Sequence, residues 1–344
     1  MTIIGLVNFL KRFNYSSEYP LYILAGLSIA IDMDNIAFKY FIESLNTEVR
    51  NLEPLECPSS ELLNKVVPIF MNNFLSFLRK LKRQRITPVC IFDGKMSEYK
   101  TRTNKSRHSK LRDVEDELKE NIWYLESMLE DNRMLGRSST SKLRNDEDIS
   151  DDLNDKHPDK ILGTLKDDID GEDEMLNIVA KIKKLFIRTS SPRPFMGKLY
   201  EFLANKGFDV RYAEHDAESY CCMLNKSGHV FAVYSEDSDC LPMGAKVWIK
   251  KIKGRTMTII QLDNILNEMS INYNRFIDLC IMSGCDYNTK PKPKQGRLSL
   301  GVVRSYNLLL TKSLEDILQD KGYDFEGLNY KVCRNIFRHG LYKE

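Results

Sequence analysis

Residues 230–239 read VFAVYSEDSD, an apolar run that ends in a short acidic motif. The same pattern occurs at residues 27–32, LSIAID, and at residues 88–93, PVCIFD, so three separate runs end in Asp. Apolar runs of this length are typical of parallel strands that are buried on both faces. Since the carboxyl ends of parallel strands meet at one edge of a sheet, we expect the acids that follow these runs to lie close together.

Two further stretches place carboxylates at predicted strand or helix ends. The full set comprises seven residues in five stretches: Asp32, Asp93, Asp216, Glu218, Asp237, Asp239 and Asp286. Carboxylates brought together repel each other unless protons or cations neutralise them, and hard oxygen ligands favour magnesium or manganese. The pattern therefore predicts an acidic site for more than one metal ion.

Helical and strand periodicities alternate along the chain, which predicts an α/β core with helices closing the C-terminal third. The predicted strands are residues 21–31, 88–92, 208–212 and a central strand at 230–234, with a hairpin over 246–260. The predicted helices are residues 4–13, 35–45, 62–82, 100–135, 175–187, 194–205 and 216–226. We expect Pro68 to kink the helix at 62–82 or to mark its true start.

Charge is unevenly distributed, although the net charge is only +2. Residues 79–112 contain twelve Lys or Arg against two acids, whereas residues 146–174 contain thirteen acids against three Lys. A basic body around an acidic centre suits a protein that binds phosphates. Residues 136–174 show little periodicity and predict a mobile or disordered insert. We interpret this insert as a flexible linker, with an acidic flap over the basic channel as the alternative.

Composition excludes several classes of protein. The 344 residues are 42% hydrophobic and 29% charged, as in an ordinary globular protein. The longest apolar stretch, residues 20–31, is too short to span a membrane, and the start lacks the pattern of a secretory signal. The eight cysteines show no metal-binding spacing, which favours buried reduced thiols in an intracellular protein, nuclear or cytoplasmic.

Four motifs together give the chain a resemblance to a known family. They are FDGK at 92–95, DAE at 216–218, SEDSDCL at 235–241 and FIDLCIMSGCDY at 276–287. In this order, with the acids in register, they resemble the flap endonuclease and XPG family of structure-specific 5′ nucleases. The resemblance implies a PIN-like 5′-nuclease fold, in the α/β class, with a central mostly parallel sheet, a helical arch and a C-terminal duplex-binding element of the helix-turn-helix type.

The resemblance also implies a division of the chain. Residues 1–112 would form the N-terminal part of the nuclease core, and residues 113–192 the arch region with the acidic insert. Residues 193–320 would form the internal part of the core with the duplex-binding element, and residues 321–344 a C-terminal tail.

Site roles follow from the resemblance residue by residue. It implies two magnesium ions, with manganese as a substitute, held by all seven acids, and hydrolysis of a phosphodiester by metal-activated water. Lys100 and Arg107 match catalytic cations at the foot of the arch, with a solvated helix face as the alternative. Phe38 matches an aromatic that stacks on a base, with a core Phe as the alternative. Asp34 matches no family acid, so we expect it to be solvated or to cap a helix.

The segment after Asp286 departs most from the family pattern. The basic residues that we expect to bind duplex phosphates are Lys290, Lys292, Lys294 and Arg297, and of two expected glycines only Gly301 is kept. A potassium site of the family is therefore in doubt here. The C-terminus shows no sliding-clamp motif, and we expect a monomer.

The sequence thus predicts a magnesium-dependent 5′ nuclease, both endonuclease and 5′-3′ exonuclease, that acts on branched or nicked DNA in replication, repair or recombination. One alternative is a 5′-3′ nuclease of the same fold that prefers RNA or four-way junctions, since the acids alone do not separate these substrates. Another is a catalytically inactive protein that binds DNA structures, which the presence of all seven acids disfavours.

Overall fold

A computed structural model of the chain describes residues 3–13, 15–95, 98–142, 158–288, 292–293, 301–320, 322–325 and 328–340. Its strands are β1 (Ser17–Pro20), β2 (Ser28–Asp32), β3 (Thr87–Phe92), β4 (Asp209–Tyr212), β5 (Ala232–Tyr234), β6 (Val247–Lys253), β7 (Thr256–Gln261), β8 (Lys292–Pro293) and β9 (Tyr323–Asp324). Its α-helices are α1 (Leu6–Leu10), α2 (Met33–Arg50), α3 (Ser60–Arg83), α4 (Thr101–Lys142), α5 (Pro158–Thr189), α6 (Met196–Asn205), α7 (Ala217–Lys226), α8 (Leu262–Glu268), α9 (Tyr273–Ser283), α10 (Val302–Thr311), α11 (Leu314–Leu318) and α12 (Tyr330–His339).

Seven strands form one mixed sheet in the order β1-β7-β6-β5-β2-β3-β4. The strand pairs β4–β3, β3–β2, β2–β5 and β5–β6 are parallel, whereas β6–β7 and β7–β1 are antiparallel. The prediction of an α/β fold with a mostly parallel sheet is confirmed. The strand predicted at 230–234 lies at the centre of the sheet, as expected, although only β5 within it is regular.

The chain divides into two compact units. The first comprises Met1–Phe41, Ile69–Ser106 and Pro192–Glu344, and it contains the sheet. The second comprises Ile42–Pro68 and Arg107–Ser191, with most of α4 and all of α5. A small apolar core holds the second unit together, and its buried members are Leu125, Ile178, Val179 and Ile182.

The core of the first unit lies on both faces of the sheet. Trp248 is fully buried, and its indole Nε1 donates a hydrogen bond of 2.6 Å to the carbonyl oxygen of Ser235. This bond ties β6 to the segment that follows β5, where the acidic motif begins.

All eight cysteines are free thiols and six of them are buried. None of the helices that the structure describes has the length and apolar character needed to cross a membrane.

The strand predicted at residues 21–31 is wrong in its first half. Residues Leu21–Leu24 form a turn of 3-10 helix, and the regular strand begins only at Ser28. Gly26 lies between them with φ of 85°, a left-handed conformation that glycine adopts at low cost and that ends any extended run. Leu21 and Leu24 are therefore buried from a turn and not from the sheet, while Tyr22 and Ile23 are exposed.

Two other expectations about helices are corrected. Pro68 does not mark a helix start, because α3 runs from Ser60 to Arg83 with Pro68 inside it. The insert expected at 136–174 is helical over much of its length, since α4 extends to Lys142 and α5 begins at Pro158. The part of the acidic insert between these two helices lies outside the described residues.

The C-terminal residues include a packed helix, α12. Cys333, Ile336 and Phe337 are buried on one of its faces. Arg334, on the same helix, donates two hydrogen bonds to Asp278 of α9, at 2.6 and 2.7 Å. Because Asp278 is nearly buried, this paired charge anchors α12 to the helix that leads to Asp286.

Candidate active site

Parallel strand pairing brings the predicted acids to one edge of the sheet. β2 pairs with β3 on one side and with β5 on the other, with Asp32 opposite Ile91 and Ile31 opposite Tyr234. Asp32 therefore ends β2 beside the last residues of β3, and Asp93 follows β3 directly.

The tightest group of acids comprises Glu218, Asp237 and Asp239. All three are buried, and one carboxylate oxygen from each lies within 4.8 Å of the others. Hydrogen bonds hold them in place: the Cys240 thiol reaches Glu218 Oε1 at 3.4 Å, and the backbone N–H of Ile3 donates to Asp239 Oδ1 at 3.1 Å. The first turns of the chain thus contribute to the site.

The electrostatics of this group favour a bound cation. Burial, with Asp237 as the largest neighbouring charge, raises the pKa of Glu218 well above its usual range. Burial also raises the pKa of Asp239, and the nearby charges of Asp237 and Asp286 add to the effect. Buried oxygens that repel each other in this way are a donor set that fits a hard divalent cation.

Asp32, Asp93 and Asp216 form the adjoining part of the site. Asp32 Oδ2 accepts a hydrogen bond of 2.9 Å from the hydroxyl of Ser235, and its Oδ1 accepts one of 3.3 Å from the N–H of Asn35. The bond from Asn35 caps the N-terminus of α2, so Asp32 caps a helix and is also part of the acidic site. Burial and the charges of Asp93 and Asp216 raise the pKa of Asp32 well above its usual value.

Asp93 is tied to the start of α7, where Asp216 is the N-cap. Its Oδ1 accepts a hydrogen bond of 2.8 Å from the N–H of Ala217, and Asp216 accepts one of 3.3 Å from Ser219. Although the residue as a whole is exposed, partial desolvation of its carboxylate raises the pKa of Asp93 to about 7, and the charges of Asp34 and Asp216 add to the effect. These caps fix the carboxylates of two separate chain segments against each other.

Gly94 allows the two segments to approach. Its N–H donates to the carbonyl of His215 at 2.7 Å, and the N–H of Lys95 donates to that of Glu214 at 3.0 Å. A Cβ at position 94 would lie 1.9 Å from the carbonyl oxygen of Ala213, which no side chain permits. The glycine after Asp93 is therefore required by close backbone contact.

The expected role of Asp34 is corrected by its position. Its Oδ2 accepts a hydrogen bond of 2.8 Å from the backbone N–H of Asp93, 59 residues away in sequence. Burial raises the pKa of Asp34, while the bond from Asp93 and the charge of Arg193 lower it. Asp34 therefore positions a predicted ligand and is neither simply solvated nor a helix cap. Glu236, which was not expected to be a ligand, forms an ion pair of 2.6 Å with Lys39.

Lys100 lies against one of the predicted acids, Asp216. It ends a 3-10 turn, and its Nζ lies 2.7 Å from Asp216 Oδ1 and 5.5 Å from the ring centroid of Tyr287. Although burial lowers the pKa of Lys100, the nearby Tyr287, Asp216 and Glu218 outweigh it and raise the pKa well above its usual value. The side chain is therefore a permanent cation at the edge of the acidic site.

Of the other predicted site residues, the structure describes Phe38, Arg107, Lys292 and Gly301. Phe38 is 45% exposed, which disfavours the core alternative. Arg107 lies in α4 within the second unit, and Lys292 lies in β8. Gly301 precedes α10 and is exposed, with open space where a Cβ would be. Lys290, Lys294 and Arg297 lie outside the described residues.

Sequence reasoning missed two contributors to the site, Ser235 and Tyr287. Ser235 is fully buried and bonds Asp32. The Tyr287 hydroxyl is buried and has no hydrogen-bond partner among the described residues, while its ring packs edge-on against Phe337 at 5.7 Å. Tyr287 directly follows Asp286 and Ser235 lies two residues before Asp237, and that proximity is the only signal that the sequence offers.

Comparisons with known proteins match the segments of the chain that contain these acids. The family models described as XPG N-terminal domain and XPG I-region match residues 1–114 and 207–286, which together make up more than half of the chain. The first range contains Asp32 and Asp93. The second contains the other five predicted acids, Asp216, Glu218, Asp237, Asp239 and Asp286.

Individual relatives give the extent of the similarity. Flap endonuclease 1-A of Sorghum bicolor is 25% identical over 318 residues, which cover 91% of this chain and 68% of that protein. Flap endonuclease 1 of Nematostella vectensis is 34% identical over 144 residues, which cover 40% of this chain and only 38% of that protein. The solved structure of flap endonuclease-1 from Methanococcus jannaschii has a TM-score of 0.54 and 20% identity, covering 96% of this chain and 83% of that one. This last similarity concerns the fold alone.

Proposed function

The chain belongs to the flap endonuclease and XPG family, and from this premise we propose that it is a magnesium-dependent, structure-specific 5′ nuclease. Its reaction is the hydrolysis of phosphodiester bonds in DNA. The proposed substrates are branched or nicked duplexes, cut near the point where a 5′ single strand leaves the duplex.

One observation carries the proposal: the buried trio of Glu218, Asp237 and Asp239, with carboxylate oxygens within 4.8 Å of one another. Three buried like charges at this spacing are unfavourable in a purely structural role, because each one loses hydration and repels the others. The same arrangement is favourable when divalent cations neutralise it. Asp32, Asp93, Asp216 and Asp286 complete the proposed ligand set, which we assign to two magnesium ions with manganese as a substitute.

The bound metals would supply a water of lowered pKa at neutral pH and would offset charge on the phosphoryl oxygens. The protein contributes preorganised oxygen ligands, held by Ser235, Cys240 and the backbone N–H groups of Ile3 and Ala217. Such fixed ligands need little rearrangement when substrate binds.

Lys100 is the proposed catalytic cation. It stands at Asp216 before any substrate arrives, so its ammonium is in position to meet negative charge that develops on the phosphate. Arg107 is proposed to act with it from α4. Phe38, exposed on α2, is proposed to stack on a base beside the cleaved bond. Duplex contacts are assigned to the segment that contains Lys290, Lys292, Lys294, Arg297 and Gly301.

A substrate panel tests the proposal. Four substrates carry the same 5′-labelled strand: a 5′-flap duplex, a nicked duplex, a four-way junction and an RNA version of the flap. Each is incubated with the protein in Mg²⁺, in Ca²⁺ and in EDTA. We expect cleavage of the DNA flap near the branch point in Mg²⁺ only. Tight binding of every substrate with no cleavage in Mg²⁺ would contradict the proposal and favour the DNA-binding alternative.

The same panel decides between flap and other substrates. Preferential cleavage of the RNA or of the junction would keep the nuclease and its metal site, and would replace only the proposed substrate. Family membership and the complete set of seven acids favour an enzyme over an inactive binder.

A further inference from the structure

The edge strand β4 ends at Tyr212, beside the end of its one neighbour in the sheet, β3. Tyr212 pairs in register with Phe92, the residue immediately before Asp93. The N–H of Ala213 also donates to the carbonyl of Phe92 at 2.9 Å, so the two strands stay paired up to the acidic edge. Tyr212 is therefore in register with the residue directly before Asp93, a predicted metal ligand.

A second ring holds Tyr212 in place. Tyr200 of α6 stacks on it with centroids 4.4 Å apart and planes inclined by 19°, and Phe92 packs against it at 5.8 Å. Tyr212 nevertheless keeps 53% of its surface exposed. A ring that is supported on one side and open to solvent on the other loses little conformational entropy when another flat group stacks on it.

The exposed ring is close to the acids. The Tyr212 ring packs against Phe92, the residue directly before Asp93, and partial burial, Tyr200 and the carboxylates of Asp34 and Glu201 raise the pKa of Tyr212. Asp34 in turn bonds the N–H of Asp93 at 2.8 Å. Phe38 lies four residues after Asp34 on α2, hence on the same helix face, and is also exposed.

The local charges identify the kind of group that this surface accepts. Asp34 and Glu201 disfavour a phosphate near Tyr212, and the cation that faces Asp34 is Arg193. A phosphate is attracted instead to Lys100 and to the metal ions that the acids would hold. The part of a nucleic acid that fits beside the Tyr212 ring is therefore uncharged and flat, and that part is a base.

We propose that Tyr212, supported by Tyr200, is a stacking platform for an unpaired nucleobase next to the scissile phosphate. The proposal rests on the nuclease function and adds a substrate contact to it. It assigns Phe38 and Tyr212 as two separate aromatic contacts near Asp34. An alternative role for Tyr212 is purely structural, as a cover over the edge of β4.

Fluorescence quenching of 2-aminopurine tests the platform. The analogue replaces each base in turn on both sides of the cleavage site of a 5′-flap substrate, and binding is measured in Ca²⁺ with wild type, Tyr212→Ala, Tyr212→Leu and Tyr212→Phe. The control is Tyr22→Ala, since Tyr22 is 66% exposed in the turn that precedes β2, away from the acidic edge. Thermal melting checks that each variant is folded.

Besides any quenching at the base that Phe38 contacts, we expect a second quenched position with wild type, Tyr212→Phe and the control. Tyr212→Ala and Tyr212→Leu should lose it, with an affinity for the flap strand that is lower by about 5-fold or more. Leu covers the edge of β4 without stacking, so a structural role predicts that Tyr212→Leu behaves as wild type, and that result would overturn the proposal. Equal quenching by all variants, or none with wild type, would also overturn it. Absence of cleavage by wild type in Mg²⁺ is a separate outcome that contradicts the nuclease function itself.

Discussion

Lys100 Nζ lies 2.7 Å from Oδ1 of Asp216, and this ion pair places a cation inside the acidic site. Both side chains are less than one fifth exposed, so the pair is only weakly screened by solvent. Lys100 is thus preorganised at the acids in the absence of substrate.

Replacement of Lys100 by Ala should lower the rate of the chemical step by about 100-fold, the order of loss seen when one preorganised charge-stabilising donor is removed. Magnesium affinity should not fall, because removal of a neighbouring cation favours a metal ion at the acids. Single-turnover cleavage and a metal titration measure the two effects. Lys119→Ala is the control, since Lys119 forms an exposed ion pair with Asp116. An unchanged rate for Lys100→Ala would show that Lys100 has no catalytic role.

Asp34→Ala should reduce activity by about 10- to 100-fold, as expected for a group that orients a metal ligand. The change leaves the N–H of Asp93 without its acceptor, whereas Asp34→Asn keeps an oxygen in place and should be milder. Glu236→Gln serves as the control because Glu236 is exposed beside the site and pairs with Lys39. Similar activity for Asp34→Ala and wild type would contradict a positioning role.

Gly94→Ala should disrupt the site, because the new Cβ would meet the carbonyl oxygen of Ala213 at 1.9 Å. The segments after β3 and β4 must then separate, which moves Asp93 away from α7. We expect a lower melting temperature together with loss of cleavage. Gly197→Ala is the matched control, since it lies in α6 with no atom within 4 Å of the added Cβ. A Gly94→Ala protein as stable and active as Gly197→Ala would refute the steric argument.

Titration of the acidic site should make the metal-free protein more stable against unfolding as the pH falls from 8 towards 6. The native pKa of Asp93 is raised to about 7, above its value in the unfolded chain, so the native state binds more protons in this range. The charged carboxylate of Asp93 destabilises the native state, and protonation removes this destabilisation. Urea unfolding in EDTA should show a steeper pH dependence for wild type than for Asp93→Asn.

Magnesium should act in the opposite direction, because the metal needs ionised ligands and stabilises the protein more at pH 8 than at pH 6. If wild type and Asp93→Asn gave identical pH dependences in EDTA, the raised pKa would be contradicted.

Much of the site follows from the sequence because buried parallel strands leave a strong local signal. The apolar runs before Asp32, Asp93 and Asp237 predict both the strands and the edge where the acids meet. The role of Asp34 does not follow, since its partner Asp93 is 59 residues away and no local pattern encodes that bond. Lys100 was predicted from the family resemblance and not from periodicity.

Errors in the fold have equally physical causes. The apolar character of residues 21–24 predicts burial but does not distinguish a strand from a 3-10 turn, and the left-handed conformation of Gly26 decides for the turn. The acidic residues of 158–174 predict disorder by composition, yet they belong to α5, whose apolar C-terminal half packs in the core of the second unit. Tertiary contacts at one end of a helix can thus override composition at the other.

The most direct test of the central claim is cleavage of a 5′-labelled flap duplex in Mg²⁺ by wild type and by the Asp237→Asn, Asp239→Asn double variant. The substitutions preserve volume and remove two charges from the buried trio. We predict metal-dependent cutting near the branch point by wild type, and none by a double variant that still binds the DNA. Equal cutting by the two proteins, or cutting by wild type in EDTA, would contradict a metal-dependent active site at these acids.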